Sequence, residues 1–219
     1  VFSFLISCSE NKKQNVDFSI VIHGGAGTME REKMSTEKEF EYKKILKDAL
    51  NKGYEILENN GSSDEAVIEA IKIMENSPLF NAGKGAVLDE RGEASLDASF
   101  MSGKNLNAGA IAGVKKIKNP IMAAYSVMKN TPQVLLISEG ADQFAIEQGL
   151  DTVDNSYFIT ERRRTQLLKN KTLSQLKDKK ESSSSISKFG TVGCVALDKK
   201  GNLSAGTSTG GRSNKKWGR

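Results

Sequence analysis

A threonine at the head of an apolar strand is the residue of this chain best placed to do chemistry. In Phe189-Gly190-Thr191-Val192-Gly193-Cys194-Val195-Ala196-Leu197-Asp198, Thr191 separates a charged, serine-rich segment from a run of strand formers. A threonine hydroxyl is a poor nucleophile near neutral pH. If the Gly190–Thr191 bond breaks, Thr191 becomes an N-terminus and carries a hydroxyl and a free amine together. Such an amine titrates at about 7.7–8.0 rather than near the ~10.4 of lysine, so it can accept the hydroxyl's proton. One residue then supplies both nucleophile and base. Gly-Thr-Val-Gly alone is a weak signal, because many strands begin that way.

Other side chains offer less. His23 is the single histidine; between an apolar strand end and glycines it reads as a hydrogen-bonded structural residue, without a proton-transfer role. Asp89, Glu90 and Asp97 have no His or Cys beside them and read as a solvated hairpin rather than a metal site. The two cysteines, Cys8 and Cys194, cannot define a disulfide framework. Cys194 reads as a buried small hydrophobe. The formal charge of +5 comes partly from Arg162-Arg163-Arg164 and the lysines of 169–188. Without interleaved aromatics this is a solvated basic face, not a nucleic-acid surface.

Elements that would position Thr191 follow from periodicity. Phe18–Ile22 reads as a buried strand closed by His23-Gly24-Gly25-Ala26-Gly27. Thr36 with Glu39 and Ser62 with Glu65 are capping boxes. They open helices whose inner faces carry Tyr42, Leu46, Ala49, Leu50, Gly53 and Leu57, then Ala66, Val67, Ala70, Ile71 and Met74. An ordered loop spans 77–85, and Ala86–Leu88 with Ala94–Ala98 flank a hairpin turn. Asn107–Val114 is a strand, Pro120 starts a helix, Val134–Ile137 is a buried strand, and Ala141–Gln148 and Arg162–Leu176 are helices. Residues 178–190 form a polar linker, and two strands follow, Thr191–Leu197 and Leu203–Ser208. No apolar run approaches the ~20 residues of a membrane span. Val1–Ser7 before Cys8 resembles the clipped tail of a lipoprotein signal, with Cys8 as the lipidated residue and the cell envelope or periplasm as the location.

Four segments together resemble the plant-type L-asparaginase/isoaspartyl peptidase family of N-terminal-nucleophile hydrolases. They are Ile22–Gly27; Ser77–Gly85; Leu96-Asp97-Ala98 with Ala108–Val114; and Gly190–Gly193 with Thr207-Ser208-Thr209-Gly210-Gly211. The resemblance implies an αββα four-layer sandwich whose precursor cuts itself into an α part, 18–190, and a β part starting at 191, after a tether over 1–17. Cut αβ units would pair as dimers. Thr191 matches the nucleophile at the Gly190–Thr191 cleavage site, and Thr209 the second threonine that supports it. Asn81 matches the asparagine close to it. His23-Gly24-Gly25 matches the loop against the cut site. Arg219 matches the arginine that holds the substrate carboxylate, a two-pronged fit. Residues 74–84 resemble a sodium loop, with backbone carbonyls of Met74, Glu75, Ser77, Phe80, Ala82 and Lys84 as ligands; no cofactor is expected for the chemistry itself. The lesser alternatives are that Asn81 merely satisfies loop backbone and that Thr209 is one hydroxyl among several on a polar strand end.

The reaction so implied is hydrolysis of asparagine or isoaspartyl dipeptides through an acyl-enzyme ester. Alternatives are a glycosylasparaginase acting on sugar-linked asparagine, or a non-catalytic anchored lipoprotein with a degenerate hydrolase fold. The family's aspartate for the substrate amine and its Thr-Gly oxyanion donors match nothing up to Arg219. The chain therefore reads as a precursor fragment, incomplete at the C-terminus, that neither cuts itself nor turns over substrate as given; one lost oxyanion donor typically costs ~10²–10³ in rate.

Overall fold

The computed structural model describes residues 17–25, 34–177 and 190–216. Six strands pair in the order β1-β5-β6-β2-β3-β4. They are β1 Ser19–His23, β2 Leu96–Ser102, β3 Asn107–Val114, β4 Leu135–Ile137, β5 Val192–Leu197 and β6 Leu203–Thr209. Neighbours run antiparallel except β3 and β4. That parallel pair is joined through helix α3, Pro120–Asn130, because a tight hairpin cannot return a chain in the same direction. The strands after the linker, β5 and β6, sit inside the sheet between β1 and β2.

Alternation sorts the strand residues onto two faces. Leu96, Ala98 and Phe100 of β2 and Val192, Cys194 and Ala196 of β5 are buried. They meet α2, Ser63–Glu75, and α3, with α1, Thr36–Glu58, stacked on α2 and β1. All five inner-face residues expected on α2, Ala66, Val67, Ala70, Ile71 and Met74, are fully buried. The opposite face is bare among the described residues. Val21, Val195, Ala205, Met101 and Ala108 stand in register across five strands, and Val21 is 68% exposed. Among the described residues this is a mixed α/β fold, one six-stranded sheet with helices on one face of it.

Several local expectations shift. Ser62 caps α2 through the Glu65 amide as expected (3.2 Å), but α1 is capped by Ser35, which accepts from Lys38 N at 3.3 Å. Thr36 is already helical; Ser35, in extended conformation, reaches the open amide one residue earlier. On α1, Leu50 lies 37% exposed and Ile56 takes its place in the core. The β4 strand is exposed at Leu135 and Ile137 because their side belongs to the bare face. The hairpin around Asp89 shrinks to a single Leu88–Ala94 bridge. Asp89 is buried there, not solvated, and accepts from the amides of Arg91 and Glu93. The helix expected at Ala141–Gln148 begins earlier, as α4, Ser138–Glu147, and the helix before the linker is α5, Glu161–Lys177. Residues 1–16, including Cys8, and the linker stretch 178–189 lie outside the described residues. Among the described residues, no helix is long and apolar enough to cross a membrane.

The end of α2 is tied to α3 by one buried carboxyl. Glu75 accepts from Ile121 N at 2.9 Å and Asn119 Nδ2 at 3.1 Å. Burial raises its pKa from 4.5 to about 7, against the lowering influence of Ser208, Ile121, Asn119 and Lys72. Between those two values the folded state holds a proton that the unfolded chain has lost, so stability falls as pH rises through this window. Glu75→Gln should therefore change the melting temperature of the full-length protein little at pH 4.5 and raise it relative to wild type above pH 7. A pH-independent difference between the two proteins would contradict this.

Candidate active site

The β5–β6 pairing brings Thr191 to Thr209. Val192 pairs with Ser208 at the end of the ladder, and one step further the two threonine hydroxyls meet, Oγ1 to Oγ1 at 3.2 Å. The third participant comes from the loop after α2. Asn81, buried at the loop's centre, donates from Nδ2 to the Gly190 carbonyl and to the Gly211 carbonyl, both at 2.8 Å, and its Oδ1 accepts from Val87 N at 2.8 Å. The Gly190 carbonyl accepts a second hydrogen bond from Thr209 Oγ1 at 2.9 Å.

Donor arithmetic fixes the direction of every proton here. Gly211 N donates to Thr209 Oγ1 at 2.9 Å. An amide can only donate and a carbonyl can only accept, so the single Thr209 proton must go to Gly190 O. The Thr191 hydroxyl is then the donor to Thr209. Its proton points away, along a chain that ends on the carbonyl oxygen of the very bond preceding Thr191. The carbonyl is thereby polarised by two donors, aimed where negative charge would grow if its carbon were attacked.

Gly25 closes the other side. A Cβ at this position would lie 3.5 Å from Thr191 N and 3.6 Å from Gly190 Cα, and its φ of +118° suits glycine. His23 ends β1 opposite Gly193, and Gly24 lies against Leu46 and Phe80. Ala26, Gly27 and Arg219 fall outside the described residues. The structure thus brings together Thr191, Thr209, Asn81, Gly190 and Gly25. Cys194, on the inner face of β5, is buried, and burial pushes its thiol up to about 12, so it remains an inert packing group.

The loop that carries Asn81 turns back on itself. Gly83 has φ +49°, and a Cβ there would lie 2.3 Å from the Glu75 carbonyl oxygen; one on Gly85 would lie 2.3 Å from that of Phe80. Among the described residues, the carbonyls of Glu75, Ser77, Phe80 and Lys84 take no donor, whereas those of Met74 and Ala82 accept from Ser77 and Gly85. Ligand clusters of His, Cys, Asp and Glu are absent among the described residues.

Two cationic features near the site had no signature in the sequence. Lys215 is buried; its Nζ donates to the carbonyls of Gly210, at 2.8 Å, and Ser95. Burial lowers its pKa, opposed by the nearby Asp97 and Asp89. It pins the Gly210-Gly211 turn whose amide orients Thr209, and a cleft of about 770 Å³ opens beside it between Asp97, Gly113 and Ser138. Asp97 is itself engaged, accepting from Gly113 N at 2.9 Å, rather than solvated. Arg162, although exposed, and the half-buried Arg163 are tied down rather than left to water alone: both reach the 77–85 loop. Lysines and arginines in polar stretches look alike in sequence whether their heads meet water or backbone carbonyls.

Residues 16–219 match the model of a protein family described as Asparaginase. An isoaspartyl peptidase of Salmonella typhimurium is 44% identical over 202 residues, covering 91% of this chain and 64% of the relative. An isoaspartyl peptidase/L-asparaginase of Xenopus laevis is 43% identical over 200 residues, covering 91% and 62%. The isoaspartyl peptidase of Escherichia coli is 43% identical over 202 residues, covering 91% and 63%. The chain spans somewhat less than two thirds of the length of these curated relatives.

Proposed function

The chain belongs to the asparaginase family, and from that premise we propose that it carries the self-cutting threonine site of a plant-type isoaspartyl peptidase/L-asparaginase. One observation carries the reading: the Gly190 carbonyl shares two donors, Asn81 and Thr209, while the hydroxyl of Thr191 gives its proton to Thr209. Thr191 Oγ attacks the Gly190 carbon. Its proton moves to Thr209 as the Thr209 proton moves to the growing oxyanion, and Asn81 stabilises the same oxygen. Collapse reforms the carbonyl, passes that oxygen's proton to the departing Thr191 nitrogen, and leaves Gly190 esterified to Thr191 Oγ with the α-amine free. Water then cleaves that ester, which leaves Gly190 as a C-terminal carboxylate and frees the Thr191 hydroxyl beside its amine.

The cut pieces would stay together. In the sheet, β5 and β6 lie between β1 and β2, so ladder hydrogen bonds hold the new N-terminal segment on both sides. With its amine free, Thr191 becomes its own general base and attacks the side-chain carbonyl of a β-aspartyl substrate. An acyl ester forms, the amine product leaves, and water releases aspartate. The relatives are named for isoaspartyl peptidase activity, which favours asparagine and isoaspartyl dipeptides over sugar-linked asparagine. The 74–84 loop would hold a sodium ion: the carbonyls of Glu75, Ser77, Phe80 and Lys84, which take no donor among the described residues, are the hard oxygen ligands it prefers, and Met74 and Ala82 flank them. Bound there it would stiffen the loop that carries Asn81.

The reading is tested with purified full-length protein. It should release aspartate from asparagine and from an isoaspartyl dipeptide, but not from glycosylated asparagine; turnover of the last substrate alone would overturn the assignment. Cys8, after its apolar run, is proposed as a lipid anchor. With the complete leader present, Cys8→Ser should move the protein from detergent to aqueous phase, and unchanged partitioning would remove the anchor.

A further inference from the structure

The arginines of α5 reach the loop on both sides of Asn81. Arg162 Nη2 donates to the carbonyls of Pro78, at 2.9 Å, and Leu79, at 2.8 Å, and its Nη1 donates to the Tyr42 hydroxyl at 3.1 Å. Tyr42 in turn donates to Leu79 O at 3.0 Å. Arg163 Nε donates to Gly85 O at 2.6 Å, and its Nη1 is held by Gln166 at 2.8 Å. These contacts fix the backbone two and three residues before Asn81 and four after it. Gly85 also lies two residues before Val87, whose amide holds the Asn81 side-chain oxygen. The same helix touches the opposite wall of the site, where Asn170 Nδ2 donates to Ser213 Oγ at 3.0 Å. Arg164, the next residue in the run, donates to no loop carbonyl among the described residues.

We propose that Arg162 and Arg163 are positioning residues: they clamp the 77–85 loop so that Asn81 presents its N–H to the Gly190 carbonyl, and so set the rate of the cut at Gly190–Thr191. This rests on the self-cutting reading above. A guanidinium suits the task because its donors lie in one rigid plane and can bridge several acceptors, whereas a lysine ammonium is a flexible point charge. Its bonds to carbonyls are charge-assisted and stronger than neutral ones. Burial pushes the Arg163 guanidinium down to about 10, which leaves it charged at neutral pH. Small misplacements of a positioned group are costly in rate, up to about 10² for a shift near 1 Å.

The test follows cleavage of the full-length protein over time after cell-free synthesis. Arg162→Ala and Arg163→Ala should each cut about tenfold more slowly than wild type, and Arg164→Ala at the wild-type rate. Millimolar guanidinium, far below denaturing concentrations, should accelerate Arg162→Ala several-fold, and Arg162→Lys should stay slow. Arg162 is exposed, so its truncation leaves the core intact and decides the matter even if Arg163→Ala fails to fold. Wild-type cutting rates in Arg162→Ala, or slow cutting that guanidinium leaves unchanged, overturn the clamp while the self-cutting reading stands. A wild-type chain that stays intact overturns that reading and the clamp with it.

Discussion

Full-length protein carrying Thr191→Ala should remain a single uncut chain and lose at least about 10⁴ in activity on asparagine and isoaspartyl substrates. The size of the effect follows from the economy of the site. The proton of Thr191 Oγ is drawn off along a path ending at the Gly190 carbonyl, through Thr209 at 3.2 Å and then 2.9 Å. The same residue must later supply both nucleophile and base, so alanine removes three functions at once. Thr191→Ser keeps hydroxyl and amine and should still cut. The check is an intact mass together with an ammonia assay. A Thr191→Ala chain processed like wild type would remove Thr191 from the chemistry.

Thr209→Val should slow the cut by about 10²–10³ while leaving the fold in place. Valine matches threonine in shape, so packing at the end of β6 is kept. What disappears is one of the two donors on Gly190 O and the acceptor for the Thr191 proton. Asn81→Asp should have an effect of similar size by the opposite route: it keeps the side chain's outline but sets a carboxylate oxygen against the carbonyls of Gly190 and Gly211. It also tests the reading that Asn81 merely satisfies loop backbone, since Asp can still accept from Val87 N. Cleavage time courses on the full-length variants decide this. Thr209→Val cutting at the wild-type rate would show that the carbonyl needs only one donor.

Strands and helices around this site were legible because their burial is one-sided. The α2 face from Ala66 to Met74, the Pro120 start of α3 and the Asn107–Val114 strand all follow period and punctuation. The pairing of Thr191 with Thr209 was legible only through motif resemblance, because nothing local in a sequence says that β5 and β6 are neighbours in register. Exposure was misread wherever a whole face is bare. Leu135 and Ile137 look like core by composition, yet they belong to the outward row of the sheet. Conversely, Asp89, Lys215 and Arg163 look like surface and are drawn in by backbone groups. A charged side chain that serves buried carbonyls or amides carries no mark in sequence, since its partner is backbone and therefore anonymous. The cap of α1 slipped from Thr36 to Ser35 for a simpler reason: two competent caps stood side by side.

The central claim is that the Gly190–Thr191 bond is broken by Thr191 itself, and N-terminal sequencing of the purified full-length protein tests it most directly. Incubated without added protease, the protein should separate under denaturing conditions into two pieces, the second beginning Thr-Val-Gly-Cys. An intact chain, or a second piece beginning at any residue other than Thr191, would contradict the claim.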